Sequence, residues 1–279
     1  MGQEQIVVQL NPDVPPTGSD LGIVNAARKS FGKRSEWENE GDSHRLNFEP
    51  VLKDKDKRLL EFLARGMTAA DFDMFLDDVD EATTLDFSSP EVDPVVDLLW
   101  QWRNTPTHDT PFNHGFFSFE VKAPIFVARH LVKHEYLIMS EYSRRYITDD
   151  VEFYEPEVWR KAAKDVKQGS SDEGVEDYVS IFDFEGVSGD VYSNNKDCLD
   201  LYSHMVISGI APEQARMVLP QSLMTSWTWS GTLGAFANMC KLRLGKDTQA
   251  ETRYVAEKVY EELKKQFPVA APLLVEGVL

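Results

Sequence analysis

The 279-residue sequence predicts a mixed fold of helices and strands, α/β or α+β, in one domain spanning residues 1–279. Its composition, 42% hydrophobic and 27% charged, is typical of a globular protein with a substantial core. Short apolar runs typical of strands are separated by longer segments in which apolar residues recur at helical spacing. The sequence contains no Ser-, Gly- or Pro-rich linker, which favours one domain over two.

The first half of the chain predicts three helices and two strands. Ile6 to Leu10 is a short apolar run, ended by the sequence PDVPP, and predicts a buried strand. Ser19 is a capping residue for a helix that continues to Phe31, and an amphipathic helix follows from Lys53 to Arg65. Phe116 to Val121 alternates as a strand does. Pro124 then begins a helical segment that continues through Tyr146.

The second half is predicted to be mostly helical. Residues 151–193 are acidic and interrupted by glycines. Helices are predicted from Cys198 to Ile207 and from Pro212 into EQARMVLPQSLMTSWTWS. The segment FANMCKL is also helical, and a last long helix runs from about Gln249 to Gln266.

Charge and cysteine content exclude several classes of protein. The chain has 29 basic and 47 acidic residues, a net charge of −18, so it lacks the basic surface that nucleic acids and anionic membranes require. A few arginines can still form a local pocket for a small anion. Cys198 and Cys240 are too few for a disulfide framework and are expected to be buried structural residues. The sequence shows no leader and no apolar run of ~18 residues, so we expect a soluble protein of a reducing compartment.

An acidic segment interrupts the chain at residues 66–100. It contains ten acidic residues and no Lys or Arg, with apolar residues at helical spacing. This pattern indicates a folded insertion with a solvated acidic face, and a docking surface is the alternative.

Motifs for metal or nucleophilic chemistry are missing from the sequence. His130 and His134 are four residues apart and could chelate a metal on a helix, but a zinc-protease helix would need a histidine where Ile138 stands. We therefore expect no metal site, with one ring packed in the core and the other facing a polar neighbour. The nucleophile-elbow, P-loop and dinucleotide-binding glycine motifs are also absent.

The arginines indicate an anion-binding site. Arg216 interrupts an apolar stretch and Arg243 ends a helical one, whereas Arg145 lies beside the hydroxyl of Ser143. An arginine in an apolar run is costly to desolvate unless it meets an anion. A nucleotide phosphate site explains this pattern, and ion pairs with the abundant carboxylates are the alternative.

Several segments, in order, resemble the flavin-dependent thymidylate synthases. The family signature is Arg-His-Arg, seven residues, and then Ser with an Arg-Tyr pair. Here Lys133-His134-Glu135, YLIMSEY and Ser143-Arg144-Arg145-Tyr146 occupy it. NAARKSF, HDTPFNH, VKAPIFVARH, EQARMVLP and FANMCKLRLGKDTQAE are also similar to family segments. The similarity covers most of the chain, apart from insertions at about 66–105 and 160–195.

The resemblance implies both a fold and a reaction. The fold is an α+β protomer, like that of thymidylate synthase complementing proteins, with a central sheet and long helices, assembled as a homotetramer with shared active sites. The reaction converts dUMP to dTMP, with methylenetetrahydrofolate as carbon donor and NADPH-reduced FAD as hydride source. Neither nucleic acid nor a membrane takes part. Acidic insertions in a diverged member suit a virus-encoded enzyme acting in the host cytoplasm.

The resemblance also implies roles for individual residues. The catalytic group comprises Ser143, Arg145 and Arg243. The dUMP-binding group comprises Arg129, His130, Glu141, Ser143, Arg145, Arg216 and Arg243. The FAD-binding group comprises Ser30, Thr110, Lys133, His134, Glu135, Glu141 and Asn238.

The sequence departs from the family pattern on the flavin and folate side. Lys133 and Glu135 stand where the signature has arginines, and Gly234 stands where another arginine is expected. The summed charge of these three positions falls from +3 to 0, which predicts weaker FAD binding unless other cations replace them. Two alternatives follow: a homologue that modifies a pyrimidine nucleotide differently, for example by hydroxymethylation, or a non-catalytic nucleotide-binding protein.

Overall fold

The structure is a computed structural model that describes residues 2–39, 50–65, 74, 77, 108–148, 151–163, 170–175, 183–184, 187–188 and 190–276. Two compact units can be distinguished in it. The first unit comprises Met1–Pro15, Ser118–Gly231 and Leu242–Val259, and the second comprises Pro16–Phe117, Thr232–Lys241 and Tyr260–Leu279. The acidic segment at 66–105 lies outside the described residues, apart from Met74 and Asp77. The assignment of 1–279 to a single domain stays a prediction.

Helices and strands alternate irregularly along the chain. The helices are α1 (Asp20–Lys29), α2 (Asp54–Arg65), α3 (Ile125–Leu131), α4 (Val191–Ile207), α5 (Pro212–Ala215), α6 (Leu233–Arg243), α7 (Ala250–Gln266) and α8 (Ala270–Val275). The strands are β1 (Val7–Leu10), β2 (Phe116–Pro124), β3 (Leu137–Glu141), β4 (Arg160–Ala162), β5 (Ser170–Gly174), β6 (Asp183–Phe184), β7 (Val187–Ser188) and β8 (Met224–Thr232). This mixed α+β architecture confirms the predicted class.

A four-stranded sheet in the order β1-β2-β8-β3 organises the first unit. Strand β1 pairs antiparallel with β2, and β3 pairs antiparallel with β8 so that Glu141 lies opposite Trp227. Alternate residues of β8 point into the core, where Trp227 and Trp229 are buried. Strand β3 forms an edge of this sheet, and its Ile138 side chain is exposed.

Buried carboxylates connect the helices of the second unit. Asp20 accepts hydrogen bonds from the backbone amides of Val269 and Ala270, 3.0 and 2.9 Å away, at the start of α8. Asp56 on α2 is fully buried, forms an ion pair with Arg28 of α1 and accepts a hydrogen bond from Ser35. These contacts fix the positions of α1, α2 and α8 within the unit.

Several predicted elements are confirmed, with shifted bounds. Ser19 caps α1, its side chain accepting from the amide of Gly22, and the last long helix is α7. The helix predicted from Cys198 begins earlier, at Val191. Asp190 caps it there by accepting a hydrogen bond from the Ser193 amide.

Two helical predictions were wrong. The segment predicted to be helical from Pro124 through Tyr146 leaves the helix after Leu131, turns at Tyr136 with φ of 63°, and continues as β3. The helix from Pro212 ends at Ala215, and MTSWTWS instead forms most of β8. In both segments, pairing between β3 and β8 prevails over local helical periodicity.

Among the described residues, none of the helices is both long enough and apolar enough to cross a membrane.

Candidate active site

A cavity of about 800 Å³ with a mixed polar and apolar lining lies within the first unit. Its walls come from α3 and the turn after it, the segment around β4, and the chain that joins α6 to α7. The charged and aromatic residues that line it include Phe126, His130, Lys133, Tyr154, Arg160 and Arg243. The structure therefore places three of the predicted nucleotide- or cofactor-binding residues, His130, Lys133 and Arg243, around one cavity.

Arg243 is held in place by two hydrogen bonds. Its Nε donates to His134 Nε2 at 3.0 Å, and its Nη2 donates to the backbone oxygen of His130 at 3.1 Å. These bonds connect the last residue of α6 to the end of α3 and to the turn that follows it. A guanidinium with two of its donors already used is oriented before any ligand arrives, and its remaining N–H donors are left for an anion or a carbonyl.

The two histidines at this site are kept neutral by their surroundings. Burial and the nearby guanidinium of Arg243 lower the pKa of His134 to about 4. Burial, Arg243 and Lys133 also lower the pKa of His130, whose Nδ1 lies 3.0 Å from Thr252 Oγ1. A neutral His134 ring is required here because its Nε2 accepts a hydrogen bond.

This geometry predicts a pH dependence of stability. The pKa of His134 is about 4 in the folded chain against its usual 6.5, so between these values the unfolded chain binds more protons. The free energy of unfolding should therefore decrease as the pH falls from 6.5 towards 4. Below about pH 4, His134 is protonated in both states and no longer makes the stability depend on pH. In His134→Gln the amide oxygen can still accept from Arg243. This variant should show a weaker pH dependence of the free energy of unfolding, measured by urea titration at several pH values across this range.

The exposed His204 on α4 provides a matched control for this experiment. His204→Gln should leave the dependence unchanged. If the free energy of unfolding of His134→Gln depends on pH as that of the parent does, His134 is not the source of the pH dependence.

An ion pair between a half-buried arginine and a buried glutamate, which sequence analysis missed, lies in the same cavity wall. Arg160 of β4 pairs with Glu251 at the start of α7, and the Tyr154 hydroxyl donates to the same oxygen, Glu251 Oε1, at 3.3 Å. Burial and the Glu251 carboxylate raise the pKa of Tyr154, so the hydroxyl stays protonated. The two ion-pair partners are 91 residues apart, and no local pattern in the sequence indicates that they meet.

The end of β3 and the turn after it carry three further predicted nucleotide-binding residues, Glu141, Ser143 and Arg145. Glu141 Oε1 accepts from Thr225 Oγ1 of β8 at 2.9 Å. Ser143 is half-buried in the following turn, whereas Arg145 is exposed and stacks over the Tyr146 ring, 5.1 Å from its centroid. None of these side chains lines the 800 Å³ cavity.

The remaining predicted residues of the first unit lie at its surface. Arg129 and Glu135 are exposed, on α3 and in the turn after it. Arg216 is exposed after α5, where its Nε donates to the Glu213 carbonyl at 3.3 Å. These residues do not line the cavity that contains Arg243.

A second cavity, of about 1050 Å³, lies within the second unit. Ser30 and Thr110, two of the predicted FAD-binding residues, both line it. Their hydroxyl groups lie among exposed aromatic and cationic side chains, a combination that fits a flavin dinucleotide. Asn238, on α6 of the same unit, is exposed and does not line this cavity.

Asn113 occupies the space beside Gly234, where the resemblance leads one to expect an arginine. A Cβ atom at position 234 would lie 2.8 Å from Asn113 Oδ1, which also accepts from Thr232 Oγ1 at 2.6 Å. Any side chain at this position requires Asn113 to move. Glycine here is therefore part of a local packing arrangement.

The surroundings of His134 and Cys240 restrict what these two side chains can do. His134 Nε2 is engaged by Arg243, and the described residues include no group of three His, Cys, Asp or Glu side chains arranged to hold a metal ion. Cys240 is fully buried, and burial raises the pKa of its thiol. Nucleophilic attack through that sulfur is disfavoured because the thiolate is the reactive form.

Comparison with known proteins identifies the family. The family model described as thymidylate synthase complementing protein matches residues 15–269, which include both cavities. The chain belongs to this family.

Relatives in the thymidylate synthase complementing protein family carry a specific activity in their names. A flavin-dependent thymidylate synthase of Thermus thermophilus is 36% identical over 185 residues, covering 66% of this chain and 64% of that relative. One from Borreliella burgdorferi is 34% identical over 159 residues, covering 57% of each chain. The match thus spans less than two thirds of these relatives' length.

The fold of this chain is similar to that of a solved structure. The UMP/dUMP methylase PolB from Streptomyces cacaoi, bound with 5-Br dUMP, aligns with a TM-score of 0.59 and 24% identity. The alignment covers 95% of this chain and 93% of PolB. At this identity, the likeness bears on the fold alone.

Proposed function

We propose that this protein is a flavin-dependent thymidylate synthase that converts dUMP to dTMP. It would use methylenetetrahydrofolate as carbon donor and NADPH-reduced FAD as hydride source. The observation that carries the proposal is the oriented Arg243 in the wall of the 800 Å³ cavity, together with His130 and Lys133. The names of relatives at about 35% identity support the same activity.

The chain's own residues would bind and polarise the nucleotide. Arg243 has N–H donors left for a uracil carbonyl or a phosphate oxygen, and its position is fixed by His134 and the His130 carbonyl. Arg145, Arg216 and the hydroxyl of Ser143 would supply further donors to the phosphate. Donors that are already oriented stabilise the negative charge that develops on an activated pyrimidine ring without reorganising during the reaction.

FAD, when bound, supplies the hydride that reduces the transferred carbon to a methyl group. Ser30 and Thr110 of the second cavity would contact this cofactor, and Asn238, Lys133, His134, Glu135 and Glu141 are proposed contacts by resemblance. The neutral His134 would serve mainly as a positioning residue, because its Nε2 already accepts from Arg243.

We further propose that the active sites are shared within a homotetramer. Arg216, Ser143 and Arg145 lie outside the cavity that contains Arg243, so they would act on a site completed by another subunit. Exposed apolar side chains near them, including Ile138, Ile207 and Met217, fit burial at a subunit interface.

Subunit complementation tests this assembly. Arg216→Ala and Ser143→Ala proteins should each turn over dUMP poorly, and mixing them after partial dissociation should restore activity through hybrid sites. As the control, each variant is dissociated and remixed with itself under the same conditions. A monomer in light scattering that retains full activity would contradict the shared site.

Product analysis tests the function itself. The purified full chain is incubated with dUMP, methylenetetrahydrofolate, NADPH and FAD, and the nucleotide product is identified by mass spectrometry. We expect dTMP. Hydroxymethyl-dUMP would instead assign the alternative modification, whereas dUMP binding by a protein without flavin or turnover would assign a non-catalytic nucleotide-binding role. A parallel reaction with UMP defines the sugar preference.

A further inference from the structure

The second cavity carries a cluster of cations that neither the sequence analysis nor the comparisons assign. Lys33, Lys55 and Arg58 line this cavity together with Ser30 and Thr110. The chain as a whole has a net charge of −18, so carboxylates are abundant. Yet within the described part of the chain, no carboxylate lies within ion-pair distance of any of the three.

The local backbone brings these cations to one place. Lys55 and Arg58 are three residues apart on α2 and therefore share a helix face. Lys33 follows the end of α1, where Gly32 takes φ of 63° and the Lys33 amide donates to the Arg28 carbonyl at 3.2 Å. Glycine adopts this left-handed conformation without the penalty that a Cβ atom would bring.

A buried contact fixes the two helices that present the cluster. Arg28 also lines the cavity, but it is already paired with the fully buried Asp56 of α2, which accepts a further hydrogen bond from Ser35. Asp56 lies between Lys55 and Arg58 in sequence, but it is fully buried whereas the two cations are exposed. The α1–α2 pair is therefore a rigid support, and Lys33, Lys55 and Arg58 are held on its cavity side.

Aromatic surface accompanies the positive charge. The Phe31 side chain is 77% exposed and Phe62 is 40% exposed, and both line the cavity. The His108 ring stacks on Phe62 with ring centroids 5.8 Å apart. Exposed aromatic faces beside cations suit a ligand that has both planar rings and phosphate groups.

We propose that Lys33, Lys55 and Arg58 hold the diphosphate of FAD in this cavity. The inference rests on the proposed flavin-dependent function and names residues that replace the positive charge lost at positions 135 and 234. The three cations supply a formal +3 in a cavity whose lining also contains the hydroxyls of Ser30 and Thr110 and one carboxylate, Asp109. FAD binding should accordingly depend on phosphate and on salt, while the flavin ring alone binds weakly.

The test compares FAD with riboflavin, which has the same ring system and no phosphate. Binding to the full chain is followed by quenching of flavin fluorescence at two salt concentrations. The parent should bind FAD at least tenfold more tightly than riboflavin, because charge-assisted contacts contribute roughly tenfold or more each before screening. The triple variant Lys33→Gln, Lys55→Gln, Arg58→Gln should lose at least tenfold in FAD affinity and most of the salt dependence, with riboflavin binding unchanged.

A second triple variant controls for net charge. Lys29→Gln, Lys57→Gln and Lys265→Gln remove the same charge from the same unit at positions that do not line the cavity. This control should keep FAD affinity within about twofold of the parent. Equal FAD affinity in the two triple variants, or a parent that binds FAD no better than riboflavin, would overturn the proposal.

Two further outcomes separate the possible failures. If NADPH binding depends on the three cations and FAD binding does not, the assignment to FAD is overturned. If FAD binding depends on the cations but no dTMP forms, the cation site stands and the proposed function fails.

Discussion

Replacing Arg160 with methionine is expected to lower the free energy of unfolding by about 3–5 kcal/mol. The Arg160 guanidinium neutralises Glu251, a carboxylate that is only 5% exposed. Glu251 Oε1 also accepts from Tyr154, but Oε2 is buried without a hydrogen-bond partner among the described residues. Without Arg160 the charge is uncompensated in a low-dielectric environment, which is among the costliest single changes in a folded protein. Urea unfolding at neutral pH and fixed protein concentration measures the loss.

The neighbouring residue provides the matched control. Lys161 also belongs to β4, but it pairs with the exposed Glu173 at 3.2 Å, and exposed pairs contribute only about 0–1 kcal/mol. Lys161→Met should therefore be nearly neutral. The double variant Arg160→Met, Glu251→Gln should recover most of the loss, since removing both charges leaves none unpaired. A loss below about 1 kcal/mol for Arg160→Met, or no recovery in the double variant, would contradict this account.

The elements that sequence analysis predicted well are those with strong local determinants. Ser19 caps α1 through a contact only three residues away, and α7 repeats its apolar positions over 17 residues. Such signals act within a few residues and do not depend on the rest of the fold. Asp190 is a comparable local cap and marks the start of α4 in the sequence.

The elements that were mispredicted depend on distant partners. Residues 137–141 form a strand because they pair with β8. The chain changes direction at Tyr136, whose backbone is left-handed, and since this residue is not a glycine the sequence does not indicate the turn. Strand β8 did offer a local signal, since its two buried tryptophans alternate with polar residues. That alternation is more typical of a strand than of the helix that was predicted.

In the candidate site, too, some residues were indicated by the sequence and others depend on distant partners. The resemblance singled out Arg243 and His134, and the structure joins them by a hydrogen bond of 3.0 Å. The Arg160–Glu251 pair and the cations of the second cavity were not anticipated, because they arise from packing between segments far apart in sequence. The single-domain assignment, the tetramer and the individual site roles stay predictions.

Loss of Arg243 is expected to have the largest effect on nucleotide chemistry. Its guanidinium is half-buried, oriented by His134 and the His130 carbonyl, and lines the cavity proposed for dUMP. Charged hydrogen bonds contribute about 1.5–3 kcal/mol each, so Arg243→Ala should weaken dUMP binding roughly ten- to a hundredfold. If its donors also stabilise charge on the activated ring, turnover should fall by a further factor of about 10²–10³.

Three variants distinguish this role from a general loss of charge. Arg243→Lys keeps the charge but cannot reproduce the planar fork that reaches both His134 and the His130 carbonyl, so its activity should remain well below that of the parent. Lys241→Ala, an exposed change on the same helix, should leave binding and turnover unaltered. Calorimetry with dUMP and deoxyuridine, alongside dTMP formation, separates phosphate binding from ring activation. If Arg243→Ala turns over dUMP as the parent does, or if Arg243→Lys restores full activity, the guanidinium geometry does not determine the chemistry at this site.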